Sequence, residues 1–510
     1  MILNLNQLIK SVGEENEQRF PIAKEAVQVY LKTLKTVKIF IATSRNFGHQ
    51  SSSINILFNM IRLGCNANFI IVYQDQDALN KLKVLLPIDP ANPQPLTFRN
   101  STDTGDILVT FLAFTRPQAE CDLALTGGYD NDVVALSGLN AKYIIELQPY
   151  DWKLGQNAIY NSSTRETINL DTEITDFNKQ AFYIENPIRN DAFWAQFPAA
   201  LPSWTTTVNL TTTLLDLYGA DKNFLLAPLY GINTGSIDPI LALFNMCCGI
   251  SYQQSGGDSR KAVIVSFSPY SQPGQDNNVN LVILKNLIDT GKYTGKGGFY
   301  DAAAFCTNYL ESSQLSTRVQ YYSGTNSQEL SDLINGLKDK QILVVQIGPV
   351  PAPIFNYTYY MANLPFVFEG QNTATLAMNF GRPYLQLAPP GSYSNKVLFP
   401  NLPTGNGPGN NLNGQIATMI SSKLSTFPSR WTIDTKTKLT AQDSLLARPQ
   451  RIVQLSPAYV LGKYAYDTLV PKPDNKQTQY FNKIGTYFHD EMYDKLLDAL
   501  IYLNSKIINP

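Results

Sequence analysis

The chain has 510 residues, more than one ordinary core accommodates, so two large units are expected. Its 40 basic and 41 acidic residues nearly cancel, which argues against a nucleic-acid footprint and against an acidic disordered tail, while 44% apolar residues suffice for packed cores. The five cysteines, Cys65, Cys121, Cys247, Cys248 and Cys306, form no CxxC pair and read as buried free thiols of a reducing compartment. The first six residues carry no basic stretch ahead of a long apolar core, so no export signal is expected. No run approaches the roughly 20 apolar residues of a membrane span. A cytoplasmic protein is the expectation, with signal-independent secretion of an effector left open.

Taken in chain order, residues 4–35 read as helical, with Pro21 splitting the stretch in two. Val37–Ala42 is a strand, followed by the polar loop Thr43–Gln50. Ser51 to Ser53 are placed to cap a helix over Ile54–Leu63, which Gly64 ends, and Asn68–Tyr73 is the next strand. This is a βαβ unit of about 30 residues. Further short apolar runs fit strands buried on both faces: Asp106–Phe111, Val133–Leu136 and Lys142–Leu147. The middle, 151–250, is less regular, with Ala181–Glu185 as a candidate strand and its threonine tracts, 205–207 and 211–213, in an insertion over the first cleft. The polar segment Gln253–Asp258 reads as a linker. After it the alternation restarts: strands at Lys261–Phe267, Thr317–Tyr322 and Gln341–Ile347, helices over Asn280–Leu287 and Gln328–Gly336. The loop Phe399–Asn413 is rich in Pro, Gly and Asn, and Tyr480–Ile508 reads as an amphipathic helix. The expected class is α/β: two Rossmann-like, doubly wound domains facing a central cleft, with helical N- and C-terminal extensions. The expected boundaries are 1–36, 37–252, 259–455 and 456–510.

The densest signal is Phe366–Tyr384. A strand ends at Phe368, a turn follows at Gly370, and a helix opens on Asn372 and Thr373 and closes at Gly381 ahead of Pro383. Free backbone N–H groups and the positive end of a helix dipole then meet at Gly370, Gln371, Asn372 and Thr373, which suits a phosphate. The plainer reading is a strand–turn–helix junction with an Asn/Thr cap. Glu369 precedes the glycine; a carboxylate there would repel phosphate, so it is either a helix cap or a partner for a sugar or ribose hydroxyl. Ser266 and Ser268 stand at a strand end, where crevice ligands bind in open α/β sheets. Gly348–Pro353 follows another strand end, as a rigid turn or a pocket wall. Asp151 follows the strand ending near Leu147 and could reach an acceptor. Arg45, Arg189 and Arg382 are either anion contacts or ordinary exposed arginines. Asp75-Gln-Asp77 has the letters of a metal motif but follows the second strand of a βαβ unit, where a turn or ribose contact fits better. With two distant histidines and no cysteine spacing, no metal site is expected.

These segments resemble the GT-B glycosyltransferases, in which two Rossmann-like domains face each other, the donor lying mainly on the C-terminal one. The resemblance covers about Val37 to Pro390. It rests on Asn46-Phe-Gly-His-Gln50, on Ser266-Phe-Ser268, and on Glu369-Gly-Gln-Asn-Thr373 with Gly381-Arg-Pro383. Gly-x-x-Thr before a short helix and Gly-x-Pro is similar to the donor-diphosphate loop of inverting members such as the lipid-linked peptidoglycan N-acetylglucosaminyltransferases and the protein-arginine rhamnosyltransferases. The resemblance implies an inverting, metal-independent transferase without a cofactor, using a nucleotide-diphosphate sugar as co-substrate. It implies His49 as general base, with Gly48 and Gln50 beside it on the acceptor side; an imidazole titrates in the right range for that task. In the peptidoglycan enzymes a glutamate further along the helix grips the ribose. Its place here is Leu376, so Glu369 or Gln371 serves the nucleoside instead, or the donor differs.

Three other functions fit parts of the pattern. A nucleotide-sugar epimerase of the same fold needs more acids and a further histidine around the sugar. A two-lobed binding protein is normally exported. An inactive scaffold binding a partner subunit agrees with the missing ribose glutamate. The acceptor stays open among protein, saccharide and small molecule.

Overall fold

The computed structural model describes residues 20–44, 47–99, 105–129, 131–149, 154–220, 224–230, 259–267, 279–290, 292–295, 298–301, 314–368, 371–382, 384–386 and 476–509, with Cys247, Ile250 and Gln254 singly. The expected linker 253–258, apart from Gln254, and the loop Phe399–Asn413 lie outside them. The architecture is α/β, built on two large, mainly parallel sheets.

A helix over residues 20–33 (α1) leads into the first sheet. That sheet contains β1 (Thr36–Ile41), β2 (Asn68–Tyr73), β3 (Leu96–Arg99), β4 (Asp106–Ala113), β5 (Cys121–Thr126), β6 (Ala141–Glu146), β7 (Ala158–Asn161) and β8 (Glu166–Asn169). Its order is β3-β4-β2-β1-β5-β6-β7-β8. The central strands β4, β2, β1, β5 and β6 are parallel, while β3, β7 and β8 pair antiparallel at the edges. Between β1 and β2 runs α2 (Gly48–Arg62), and α3 (Gln76–Leu82) follows β2. Five of the six β1 residues are buried, as expected of a strand covered on both faces. One of them is Lys38, whose ammonium donates to the carbonyls of Leu139, at 2.5 Å, and Ala119. Burial pushes its pKa down, and those two carbonyls keep the buried group hydrogen-bonded.

Two local expectations fail here. Val133–Leu136 is not a strand but part of a 3₁₀ helix, Val133–Leu139, begun by the Asp132 carboxylate accepting from Val134 N. Val133, Leu136 and Leu139 are buried at a spacing of three, the period of that helix. The strand beside β1 is β5 instead, unread in the sequence because Asp122 interrupts its apolar run. The helix after β1 also begins at Gly48, not Ile54, so Ser51–Ser53 lie inside it.

The second sheet contains β9 (Leu225–Leu229), β10 (Ala262–Ser266), β13 (Val319–Tyr322), β14 (Ile342–Gln346), β15 (Phe366–Phe368) and β16 (Tyr384–Gln386), ordered β13-β14-β10-β9-β15-β16. Every pairing in it is parallel. The intervening β11 (Lys292–Gly295) and β12 (Gly298–Asp301) form a separate hairpin. Strand β9 precedes the segment 253–258, so the second sheet takes a strand from the chain upstream of the expected linker. Helix α4 (Thr205–Ala220) goes with it. Its Leu210, Leu214 and Tyr218 pack into the core around β9, β10 and β14, so the threonine tracts do not form an insertion over the first sheet. Helices α5 (Val279–Thr290), α6 (Ser327–Gly336), α7 (Ala352–Met361) and α8 (Gln371–Asn379) complete this half.

The C-terminal segment ties the halves together. It is not one helix: α9 (Lys476–Phe488) and α10 (Lys495–Tyr502) are separated by a 3₁₀ turn, and a π-helical stretch, Leu503–Ile508, ends it. Asp490 and Asp494 make the break by accepting from Met492 N and Leu496 N. Phe481, Ile484 and Phe488 enter the core of the second sheet, whereas Leu496, Leu497, Leu500 and Leu503 enter that of the first. No helix among the described residues is long and apolar enough to cross a membrane.

Candidate active site

In an open parallel sheet, ligands bind at the carboxyl ends of the strands where the winding reverses, because the flanking connections diverge there. In the first sheet the chain winds from β1 through β2 to β4 and then crosses to β5 on the other side of β1. The crevice therefore opens at the ends of β1 and β5. His49 lies there, in the first turn of α2, with 6% of its surface exposed. A glycine pair, Gly127-Gly128, follows β5 and packs on α2. A Cβ on Gly127 would lie 2.3 Å from Ser53 N, and one on Gly128 would lie 2.7 Å from Cδ2 of the His49 ring. Gly128 also holds φ +143°, a region that favours glycine. The Ser53 hydroxyl accepts from Gly127 N at 2.8 Å and donates to the Phe40 carbonyl at 3.1 Å, tying helix, strand and loop together. The serines expected as caps are thus the small residues that allow this approach.

Of the neighbours of His49, Gly48 begins α2, and a Cβ there would meet nothing within 4 Å. Gln50 does not act as a cleft residue. It is fully buried, its amide donates to the Ala42 carbonyl at 2.7 Å, and its oxygen accepts from the Ser44 hydroxyl at 3.2 Å. It fixes the turn leaving β1. Glu146, buried at the end of β6 and paired in register with Thr126, accepts from Gln148 Nε2 at 2.6 Å; that amide also reaches the Tyr129 carbonyl at 3.0 Å. Neither the glycine pair nor Glu146 was a sequence candidate, although Thr-Gly-Gly-Tyr ending an apolar run was a readable signal. Asp151 and Arg45 lie outside the described residues.

In the second sheet the winding runs from β9 to β10, β13 and β14, then crosses to β15 on the other side of β9. That crevice opens at the ends of β9 and β15, where α8 begins at Gln371. Glu369, Gly370 and Ser268 lie outside the described residues, as do the side chains of Gln371 and Asn372; Thr373 is half-buried in the first turn of α8. Leu376 is 4% exposed and faces the core. Ser266 ends β10, 3% exposed, and pairs in register with Gln346 at the end of β14, so the two side chains share one face. The Gln346 amide nitrogen is buried and has no hydrogen-bond partner among the described residues. Sequence reading passed over Gln346, since a polar residue ending an apolar strand is common. Beside this crevice, Tyr230 after β9 and Phe267 after β10 pack edge-on to Phe355 of α7, at 5.4 and 5.6 Å between centroids.

The two crevices belong to helices in mutual contact, since α2 packs on α8. The expected strand Ala181–Glu185 lies between them, extended but outside any ladder except one bridge, Ala181 to Asp494. Side chains take its backbone groups instead: Asn59 of α2 donates to Tyr183 O at 2.8 Å, and Asn379 of α8 donates to Phe182 O at 3.0 Å and accepts from Ile184 N at 3.1 Å. A second tie joins Ala352 N, at the start of α7, to the Val84 carbonyl at 2.7 Å. It pins the turn Gly348–Pro353, between β14 and α7, against the first half.

Other candidates resolve as structural. Asp75 caps α3 by accepting from Ala78 N at 2.9 Å, and Asp77 pairs with Lys81. Arg189 pairs with Asp191 and Asp216. Among the described residues no group of three or more His, Cys, Asp or Glu side chains converges.

No protein-family model matches this chain, and no curated protein does. Solved structures resemble it weakly. One is a glycosyl transferase family 9 protein from Veillonella parvula, 8% identical, covering 70% of this chain and 81% of its own, at a TM-score of 0.32. A second, described as trehalose-6-phosphate from E. coli bound with UDP-2-fluoro glucose, is 8% identical and covers 93% and 99% at 0.35. A third, a UDP-N-acetylglucosamine 2-epimerase, is 11% identical and covers 86% and 94% at 0.29. Scores this low carry no argument about the site.

Proposed function

We propose that this chain is an inverting, metal-independent glycosyltransferase of GT-B architecture. It moves a sugar from a nucleotide-diphosphate donor to a protein, saccharide or small-molecule acceptor. The observation that carries the reading is the pair of switch-point crevices, each entered by a helix N-terminus, α2 and α8, on helices packed together. The two sheets are then the cores of two domains, and the crevices are the walls of one cleft.

In this reading the donor diphosphate sits at the N-terminus of α8, against its free N–H groups and the Thr373 hydroxyl, with Glu369 or Gln371 on ribose or sugar hydroxyls. Ser266 and Gln346 offer hydrogen bonds, and Tyr230 with Phe355 offers an aromatic wall for the base. The acceptor lies at the end of β1. The His49 imidazole removes its proton while the acceptor atom bonds to the anomeric carbon. The bond from that carbon to the diphosphate oxygen breaks with inversion, and the nucleoside diphosphate leaves with the electron pair. The dipole and N–H groups of α8 stabilise that charge, so the reaction as proposed needs no metal.

The test is release of nucleoside diphosphate from a panel of UDP-, GDP- and dTDP-sugars, comparing wild type with His49→Ala and with Asn372→Ala plus Thr373→Ala. The loop variant is expected to lose donor turnover, and His49→Ala to slow it by about 10²–10⁴-fold, the usual worth of a general base. No turnover and no nucleotide-dependent melting shift with any donor would overturn the reading and leave a scaffold.

A further inference from the structure

At the opposite end of α8 from the proposed donor seat, an open cavity of about 600 Å³ is lined by Asn186, Tyr360, Arg382, Asn482, Thr486 and His489. Nine helical residues, at about 1.5 Å each, set it roughly 13 Å along α8 from the crevice. Helix α8 ends there in a Schellman turn: Gly381 at φ +57°, with Gly381 N bonded to Met378 O and Arg382 N to Ala377 O. Gly381 then meets Gly485 of α9 backbone to backbone, where a Cβ on either would lie under 3 Å from the other's Cα.

Among the described residues Arg382 donates one hydrogen bond, to the Tyr360 carbonyl at 3.2 Å, out of the five a guanidinium offers. His489 stacks on Tyr183 at 4.9 Å, and its Nδ1 is buried with no hydrogen-bond partner among the described residues. Three amides, those of Asn186, Asn379 and Asn482, and two hydroxyls complete the wall, and no carboxylate lines it among the described residues. The plainer account is that the Arg382 side chain caps the C-terminus of α7 and His489 that of α9. That account leaves the volume unexplained. The volume lies in the usual range for small-molecule sites.

We infer that this cavity is a second ligand site, separate from the cleft, which takes a small phosphorylated sugar: Arg382 and His489 hold the phosphate, and Asn186, Asn482 and Thr486 hold the hydroxyls. The test is calorimetric titration of the full chain with glucose 6-phosphate, inorganic phosphate and glucose. The variants are Asn482→Asp, Asn482→Lys, His489→Gln and, as a cleft control, Thr373→Val. Asn482 is exposed on α9, so its variants keep the fold, as circular dichroism would verify. Glucose 6-phosphate should bind more tightly than phosphate, and glucose not at all. One negative charge at 482 should weaken glucose 6-phosphate about tenfold, with Asn482→Lys strengthening it. His489→Gln should weaken it, and Thr373→Val should leave it unchanged. Absence of binding, equal affinity in the Asp and Lys variants, loss in Thr373→Val, or binding of inorganic phosphate alone would each overturn the inference. Because the readout is binding and not turnover, it stands or falls apart from the transferase reading.

Discussion

Replacing Gly128 by alanine is the sharpest probe of how His49 is held. The backbone at 128 sits at φ +143°, so any side chain is strained there, by roughly 1–3 kcal/mol. The new Cβ would also stand 2.7 Å from His49 Cδ2, where ordinary contact begins near 3.4 Å, so the ring must recede by about 0.7 Å. A catalytic group misplaced by about 1 Å can cost on the order of 10²-fold in rate. The chain has two histidines, so ring signals in a carbon–proton spectrum can be assigned with His49→Gln and His489→Gln. Gly128→Ala is expected to shift the His49 signals, leave those of His489 in place, and lower the melting temperature moderately. Gly127→Ala is the control. Its Cβ would meet backbone, 2.3 Å from Ser53 N, where nothing can swing aside. It should destabilise more than Gly128→Ala. Unmoved His49 signals together with an unchanged melt in Gly128→Ala would refute the packing of imidazole on glycine.

Three further outcomes follow from the packing. Asp494 is fully buried, and burial raises its pKa from 3.8 to about 6, against the opposing pull of Arg62. Between those values the folded chain keeps a proton the unfolded chain has lost, so this group's contribution to stability falls as pH rises through that window, by on the order of 3 kcal/mol. Asp494→Asn keeps an oxygen to accept from Tyr183 N and Leu496 N, so its stability relative to wild type should grow between pH 4 and 7 in urea titrations; a constant difference would refute the assignment. Gly485→Ala in α9 should gain about 0.5–1 kcal/mol from helix propensity, yet its Cβ would lie 2.7 Å from Gly381 Cα, so net destabilisation is expected and a raised melting temperature would contradict that close approach. Gln50→Ala should destabilise by about 1–3 kcal/mol through the orphaned Ala42 carbonyl, a loss visible in melting without any ligand; an unchanged melt would return Gln50 to the role of a cleft residue.

What the sequence determined by itself is local. The apolar runs of β1, β2, β10 and β14 mark doubly covered strands, and Gly381 ends α8 because only its φ of +57° closes that turn at little cost. The alternation of these elements was enough for the α/β class. Where two short-range codes compete, reading failed. Val133–Leu139 looks apolar enough for a strand until its spacing of three is buried on one face, and Asp122 hides β5. Tertiary structure alone decided the rest. Nothing local to Leu225–Leu229 assigns it to the second sheet, ahead of a polar segment that looks like a boundary. The glycine pair after β5 matters only because α2 lies against it, almost 80 residues back in the chain. His489 is an unremarked helix-end residue until Arg382, Asn186 and Tyr183 arrive from other segments. Backbone propensity acts over a few residues, whereas close approach and shared cavities depend on which distant surfaces exclude water together.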